Sequence, residues 1–238
     1  MAKDETNEFI NKLTLNNDIV SITGALSRNK ETARLCSGGV RILDLGCGTG
    51  ELINQLAGKY EEVYGVDSSD SALNEAVRKG YRIAKIDLDN ETLPFADNWF
   101  DTVVTLDVIE HVYDPLSFIK ELSRVLRPDG ELIISTPNIR FWKHIFNLMI
   151  LGRFPKTTSV TEVYDGGHIH FFTFSDISHL LGGNYTVVHK SGICVAPSWK
   201  RRLSLAITSI LGPKFQLEFM QHSILVKAIK KNEKNEKV

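Results

Sequence analysis

One stretch limits the fold more than any other. In Val40-Arg41-Ile42-Leu43-Asp44-Leu45-Gly46-Cys47-Gly48-Thr49-Gly50-Glu51, an apolar, strand-forming run enters three glycines at alternate positions. Glycines at such a turn allow positive φ and remove the Cβ atoms that would hold a ligand away from the backbone. In an open α/β sheet the end of the first strand faces the crevice where ligands bind. The dinucleotide fingerprint GxGxxG sits at the same kind of turn, but here the third glycine comes one residue early and Glu51 stands where glycine is needed. A carboxylate there competes with a pyrophosphate for the helix N–H groups. A ligand without phosphate is therefore expected, a nicotinamide dehydrogenase is disfavoured, and Glu51 is read as the complement of a helix dipole.

The remaining chain supplies a sheet for this turn. The runs VRILDL, VYGVD, YRIAKID, FDTVVTL and ELIIST alternate with ELINQLAGKY, SALNEAVRKG and PLSFIKELSRVL, whose apolar residues fall at helical spacing. Strands this apolar, separated by helices, predict a parallel sheet covered on both faces. YTVVHKSGICV and HSILVKAIKK read as two last strands, antiparallel neighbours. One helix can be placed closely: Asp114 caps it and Pro115 takes its first position. Its predicted buried stripe is Leu116, Ile119, Leu122 and Val125-Leu126, with Lys120, Glu121 and Arg124 toward water and Pro128-Asp129-Gly130 as the closing turn. The expected segments are a helical stretch over 1–39, a core over 40–138, an apolar and aromatic insertion over 139–183, a C-terminal part of the sheet with its own helical insertion over 184–230, and a frayed charged tail over 231–238.

Composition narrows the function. Of 238 residues, 42% are hydrophobic and 24% charged, as in ordinary globular proteins, so extensive disorder is not expected. Lys plus Arg number 28 against 29 Asp plus Glu, which leaves no general basic surface for phosphates and argues against a nucleic-acid partner. Cys36, Cys47 and Cys194 show no CxxC spacing, the N-terminus lacks an apolar signal segment, and no apolar run approaches the roughly 20 residues of a transmembrane helix. A soluble, reduced, cytoplasmic protein is the expectation.

Two further acids punctuate strand ends. Asp67, followed by Ser68, lies 17 residues after Gly50 at the end of the second strand, where it can accept hydrogen bonds from both ribose hydroxyls of a nucleoside. The plainer alternative is that Asp67, or Ser68-Ser69, caps the next helix; with the glycine loop beside it, ribose binding is the favoured reading. Asp87 at the third strand end can accept from an adenine amino group while Leu88 covers the ring.

With ILDLGCGTG, VYGVDSS, the Asp87 turn, LPFADNWFDTVVTLDVIEHV and LRPDGELIISTPN in this order, the stretch from about Val40 to Asn138 resembles the class I S-adenosylmethionine-dependent methyltransferases. The resemblance is closest to the small-molecule branch of ubiquinone-biosynthesis-type O-methyltransferases and methionine-biosynthesis W-like proteins. It implies an α/β fold, a Rossmann-like seven-stranded, mostly parallel sheet with helices on both faces, the last strand antiparallel and a helical lid insertion. It implies S-adenosylmethionine as cofactor and S-adenosylhomocysteine as product. Gly46, Gly48 and Gly50 would admit the methionine half, with Cys47 as the small residue between them and Asp44 helping to hold the amino group. Asp67, beside Ser68, would take the ribose, and Asp87 and Leu88 the adenine. Asp107 and Val108 would line the sulfonium, and Glu110-His111 would close that wall, with His111 either touching substrate or orienting the loop. Asp165 to Thr173 resembles a subgroup with an Asp-x-x-His-x-x-Phe-Phe-Thr insertion pattern, in which position 170 is commonly Arg; here it is His170.

For an oxygen acceptor, His168 is the candidate base, because histidine titrates near neutrality. Asp165 is the candidate to orient it, and His111, Asp165 and His170 are the candidate acceptor contacts. His168 and His170 share a face of an extended segment, but no third ligand is evident beside them, so no metal is expected. The lid candidates are Ile139–Phe154 and Trp199–Phe215, aromatic and basic helices that either pack over the site or touch a membrane surface peripherally. The expected function is methyl transfer to a hydroxyl or carboxylate oxygen of a small molecule. The alternatives are a lipid-linked or glycan acceptor, and a catalytically silent subunit that binds a partner protein. The absence of an Asn/Asp-Pro-Pro-aromatic motif at Asp107–His111 argues against amino-group chemistry on nucleic-acid bases.

Overall fold

The computed structural model describes residues 28–56, 58–157, 167–193 and 212–232. Expectations for residues 1–27, Asp165, most of the second lid candidate and the end of the tail fall outside them. Helix α1 covers 28–35. Then follow β1 (Gly39–Leu45), α2 (Ile53–Leu56), β2 (Tyr60–Asp67), α3 (Asp70–Arg78), β3 (Arg82–Lys85), β4 (Phe100–Leu106), α4 (Pro115–Val125), β5 (Leu126–Pro137), α5 (Trp142–Leu151), α6 (Phe174–Leu181) and β6 (Tyr185–Ile193). Helix α7 over 212–219 precedes β7 (Ser223–Lys230).

The strands form one seven-stranded sheet in the order β3-β2-β1-β4-β5-β7-β6. Pairs from β3 to β5 are parallel, and β7 runs antiparallel to both β5 and β6. The expected architecture is therefore present, including the antiparallel last strand. Burial on both faces explains the near-continuous apolar runs. Leu43, Leu45, Val103, Leu132 and Ile134 enter one core with α4 and α6. Their neighbours Ile42, Val104 and Ile133 enter the other, against Ala33 of α1 and Leu56 of α2. Lys59 Nζ donates to the carbonyls of Ala33 and Cys36, and Lys227 Nζ to that of Leu35, so two cations close the C-terminus of α1. Among the described residues no helix is long and apolar enough to cross a membrane.

Several local expectations change. Asp114 caps α4 as read, accepting from the N–H groups of Leu116 and Ser117. The buried stripe, however, uses Phe118, while Leu116 at the second helical position is 60% exposed. Glu121 and Arg124 do not simply face water. Arg124 donates to Glu121, to Asp97 and to the carbonyls of Leu93 and Phe95, and so fastens the loop before β4. Pro128-Asp129-Gly130 lies inside β5, where the register shifts between Phe100 and Thr102, and Asp129 takes φ 59°. ELINQLAGKY yields only the single turn of α2. Within the stretch read as an insertion, α6 packs as a core helix: a capping box of Thr173 and Asp176 starts it, and Phe174, Ile177 and Leu181 are buried. Arg140 pairs with Glu218 and lies over the Phe219 ring, which joins the start of α5 to α7.

Asp101 fixes the first edge of the central strand pair. Its Oδ2 accepts from the N–H groups of Val40 and Arg41 at 2.8 Å each, and its Oδ1 accepts from Arg127 Nε. Asp101→Ala is expected to lower the unfolding free energy by about 1–3 kcal/mol, the range for stranding hydrogen-bonded groups. Urea denaturation measures it, and an unchanged midpoint would contradict this role.

Candidate active site

The glycine loop crosses the carboxyl end of β2. Gly46 and Cys47 both donate to the Val66 carbonyl, and Gly50 donates back to Cys47. Gly46, Gly48 and Gly50 have φ of 74°, 50° and 75°, the left-handed region that glycine tolerates. A Cβ on Gly46 would overlap the Val108 side chain, so the loop after β4 closes directly onto the loop after β1. Asp67 lies between them. Its Oδ2 accepts from Gly48 N–H at 2.9 Å and its Oδ1 from Ser69 N–H at 2.9 Å. Helix capping falls to Ser69, whose hydroxyl accepts from Ala72 N–H, and Ser68 is exposed.

A cleft of about 330 Å³ opens at these strand ends, lined by Gly46, Asp67, Ser68, Asp87, Leu88, Asp107, Val108 and His111 among others. The candidate residues from four strand ends thus meet at one hollow, in the position where open α/β sheets bind ligands. Asp87 is exposed, and its carboxylate accepts from Asn90 Nδ2 and Asp89 N–H, bonds that hold it below the usual carboxylate range. Glu51 pairs with Lys79 Nζ at 2.6 Å instead of complementing a helix N-terminus, because α2 starts only at Ile53.

Asp44 is 3% exposed and lies beneath the loop. Its Oδ2 accepts from the Tyr81 hydroxyl at 2.8 Å, and that hydroxyl accepts from Ile53 N–H, so one tyrosine ties β1 to α2. Burial pushes the Asp44 carboxyl up to about 7, against the opposing pull of Tyr81 and Arg28.

Sequence analysis missed Arg28. Its guanidinium reaches across from α1 to pair with Asp107, and its buried Nε has no hydrogen-bond partner among the described residues. Nothing in the sequence linked a residue in the N-terminal segment to the end of β4. Asp107 itself takes φ 56° and accepts a second bond from Ser135 Oγ at 2.9 Å. The turn it makes brings Glu110 inward, 1% exposed, and leaves His111 on the surface. Burial pushes Glu110 up to about 7.

The backbone of 167–172 crosses this wall. Ile169 and His170 N–H groups donate to the Glu110 carbonyl, and Ile139 N–H donates to that of Phe172. His111 Nδ1 lies 3.1 Å from the Gly167 carbonyl, and the His111 and His168 rings meet edge to face at 4.6 Å. His170 lies apart from this cluster, with its ring tilted on Phe172. Asp165 is outside the described residues.

Three features of the site fit S-adenosylmethionine. Nothing lies within 4 Å of a Cβ position on Gly48, Asp67 lines the cleft with a carboxylate that can accept from a ribose diol, and Arg28 Nε, without a hydrogen-bond partner among the described residues, is a donor suited to a carboxylate.

Residues 28–209 match the family described as methionine biosynthesis protein MetW. A ubiquinone biosynthesis O-methyltransferase from Bradyrhizobium diazoefficiens is 38% identical over 120 residues, covering 49% of this chain and 47% of that protein. One from Alkalilimnicola ehrlichii is 35% identical over 135 residues, covering 52% and 55%. The chain spans about half the length of the curated relatives it matches. Among solved structures, an S-adenosylmethionine-dependent methyltransferase from Archaeoglobus fulgidus aligns with TM-score 0.62 at 17% identity, covering 89% of this chain and 94% of that one. Another from Mesorhizobium loti gives 0.58 at 18%, covering 84% and 95%. At such identities these two establish the fold.

The Asp44 environment yields a pH test. An unfolded carboxyl titrates near 3.9, so between about pH 4 and 7 the folded chain holds a proton that the unfolded chain has lost. The stability this proton linkage contributes is complete below that window and is lost as pH rises through it. Asp44→Asn removes the linkage. The variant is expected to gain thermal stability relative to the parent between pH 5 and pH 8, and a difference independent of pH would contradict the assignment.

Proposed function

The chain belongs to the MetW family and has the Rossmann-like fold of class I S-adenosylmethionine-dependent methyltransferases, and from this premise we propose that it transfers a methyl group from S-adenosylmethionine to an oxygen of a small-molecule acceptor. The observation that carries the reading is the convergence of Gly46, Asp67, Leu88, Asp107 and Val108 on one cleft, with the half-buried Arg28 side chain paired to Asp107. The names of the relatives support oxygen as the acceptor atom.

When bound, S-adenosylmethionine supplies a methyl already activated by its sulfonium. The chain supplies position. Arg28 would take the cofactor's carboxylate, and the carbonyls and open space of the glycine loop its amino group, with Asp44 acting from below through the loop's shape. Asp67 would exchange its present backbone bonds for, or share them with, the ribose hydroxyls. Leu88 would cover one face of the adenine, with Asp87 and Ser68 at its rim. Val108 would press on the chain near the sulfonium. Holding an acceptor oxygen in line with that methyl is worth up to ~7–11 kcal/mol of barrier. The acceptor would enter past His111 and the 167–172 segment, and His168 with Glu110 forms the polar wall that would receive its hydroxyl proton.

A lipid-linked acceptor is the second reading. It is favoured by α5, whose Phe146, Met149 and Ile150 are 47%, 75% and 66% exposed, continued by Phe154 at 62%.

Calorimetric titration with S-adenosylmethionine tests the proposal. Saturable binding is expected, weakened at least about 10-fold in Asp67→Ala, or about 1.4 kcal/mol. Gly46→Ala, which forces a side chain against Val108, is expected to bind no cofactor while retaining a cooperative unfolding transition. Absence of binding by the parent chain would favour the silent, partner-binding reading.

A further inference from the structure

We propose that Tyr81 is a positioning residue of the cofactor site: its ring supports the glycine loop from beneath, and its hydroxyl keeps the Asp44 carboxyl in the form that attracts the cofactor's amino group. This role deepens the methyl-transfer reading and rests on it. Tyr81 lies just before β3, is 4% exposed, and packs with Cys47, Leu73 and Ala76.

The ring accounts for two glycines. A Cβ on Gly50 would lie 2.9 Å from Tyr81 Cε2. A Cβ on Gly65 would lie 2.8 Å from Tyr81 Cδ1 and 2.8 Å from Cys47 Sγ. Those two ring atoms belong to opposite edges, so the ring is wedged between the loop after β1 and the backbone of β2. At such close packing a displacement of the ring passes to the loop. Gly46 lacks a side chain in favour of Val108, and Gly50 in favour of Tyr81. That leaves Gly48, with nothing within 4 Å of its Cβ position, as the member of the motif that meets open space.

The hydroxyl joins β1 to the start of α2. It donates to Asp44 Oδ2 at 2.8 Å and accepts from Ile53 N–H at 3.0 Å. Burial, with Asp44 beside it, pushes this hydroxyl far above the ordinary tyrosine range, so it stays protonated and remains a donor. A donor to a carboxylate favours its ionised form. Arg28 of α1 acts in the same direction, burial and Asp67 of β2 act against it, and Asp44 is left at about 7. Cys47 of the loop is pushed up to about 12 by burial and stays a neutral thiol. The amino group of an amino-acid cofactor is cationic at neutral pH, and an ionised Asp44 beneath the loop attracts it. Without the Tyr81 hydroxyl, Asp44 keeps its proton to a higher pH, and the attraction is lost between the old and new titration points.

The test titrates the full chain and Tyr81→Phe, which keeps the ring, with S-adenosylhomocysteine by calorimetry from about pH 6 to about pH 9. The readout is the ratio of the two dissociation constants at each pH. Titration of the ligand's own amino group, and of Glu110, which also lies at about 7, is common to both chains and cancels in that ratio. Below both titration points the variant is expected to bind at least about 10-fold more weakly, the scale of a hydrogen bond to a charged group. Above both, the ratio shrinks to what the lost Ile53 contact leaves. In an Asp44→Asn background the same substitution is expected to give a ratio that does not change with pH. Where Tyr81→Phe does not melt cooperatively, Asp44→Asn is compared with the parent instead, and the parent's advantage must grow as pH rises through about 7. A difference independent of pH in either comparison, or equal binding throughout, overturns the role of Tyr81 and leaves methyl transfer standing. Absence of S-adenosylhomocysteine binding by the parent at every pH removes the methyl-transfer reading and this role with it.

Discussion

Buried charge at the carboxyl edge of the sheet governs the arrangement of this molecule. Asp44 and Glu110 lie almost wholly out of solvent, and a single guanidinium, Arg28, acts on both and pairs with Asp107. A carboxylate in such surroundings must either take a proton or find a donor. Asp44 has Tyr81, Asp107 has Ser135 and Arg28, and Glu110 has Thr136 on one oxygen only. These partners come from α1, β5 and the start of β3, so satisfying the acids also welds the outer elements to the strand ends. The cleft is what remains between those fixed points.

The sheet was legible because its strands are buried twice. Ile42 and Leu43, or Val103 and Val104, point into opposite cores, and only a continuous apolar run can meet that demand. The glycine loop was legible for a steric reason, since Val108 occupies the space a side chain on Gly46 would need. Asp67 could be placed because strand ends in such sheets share a plane, and counting strands locates them. Local chemistry was read less well. Leu116 follows the helical period yet faces water, and Arg124 looks like a solvent charge yet holds three partners in the loop before β4 as well as Glu121 of its own helix. Periodicity reports which face is buried only when the cap sets the phase.

What stayed hidden was long-range pairing of polar groups. Arg28 meets Asp107 across most of the core domain, and no local pattern marks either as the other's partner. The same holds at His168. Sequence reading sought its companion at His170, two residues on, where an extended segment repeats its face. In the structure the segment bends, His170 turns to Phe172, and Glu110 with His111 arrives from the end of β4. Glu110 and His111 had been read as a wall of the cofactor site; in the structure Glu110 is buried, His111 lines the cleft, and the 167–172 backbone bonds to the Glu110 carbonyl.

The wall from Asp107 to His111 therefore serves two sides. Asp107 and Val108 face the cleft at the strand ends, and after the left-handed turn at Asp107 Glu110 lies toward His168. A residue at φ 56° is held there by its neighbours and not by its own preference. The bonds from Ser135 and Arg28 do the holding. Residues 107–111 thus run from the cleft to the histidine–carboxylate cluster, with Arg28 paired to the first of them.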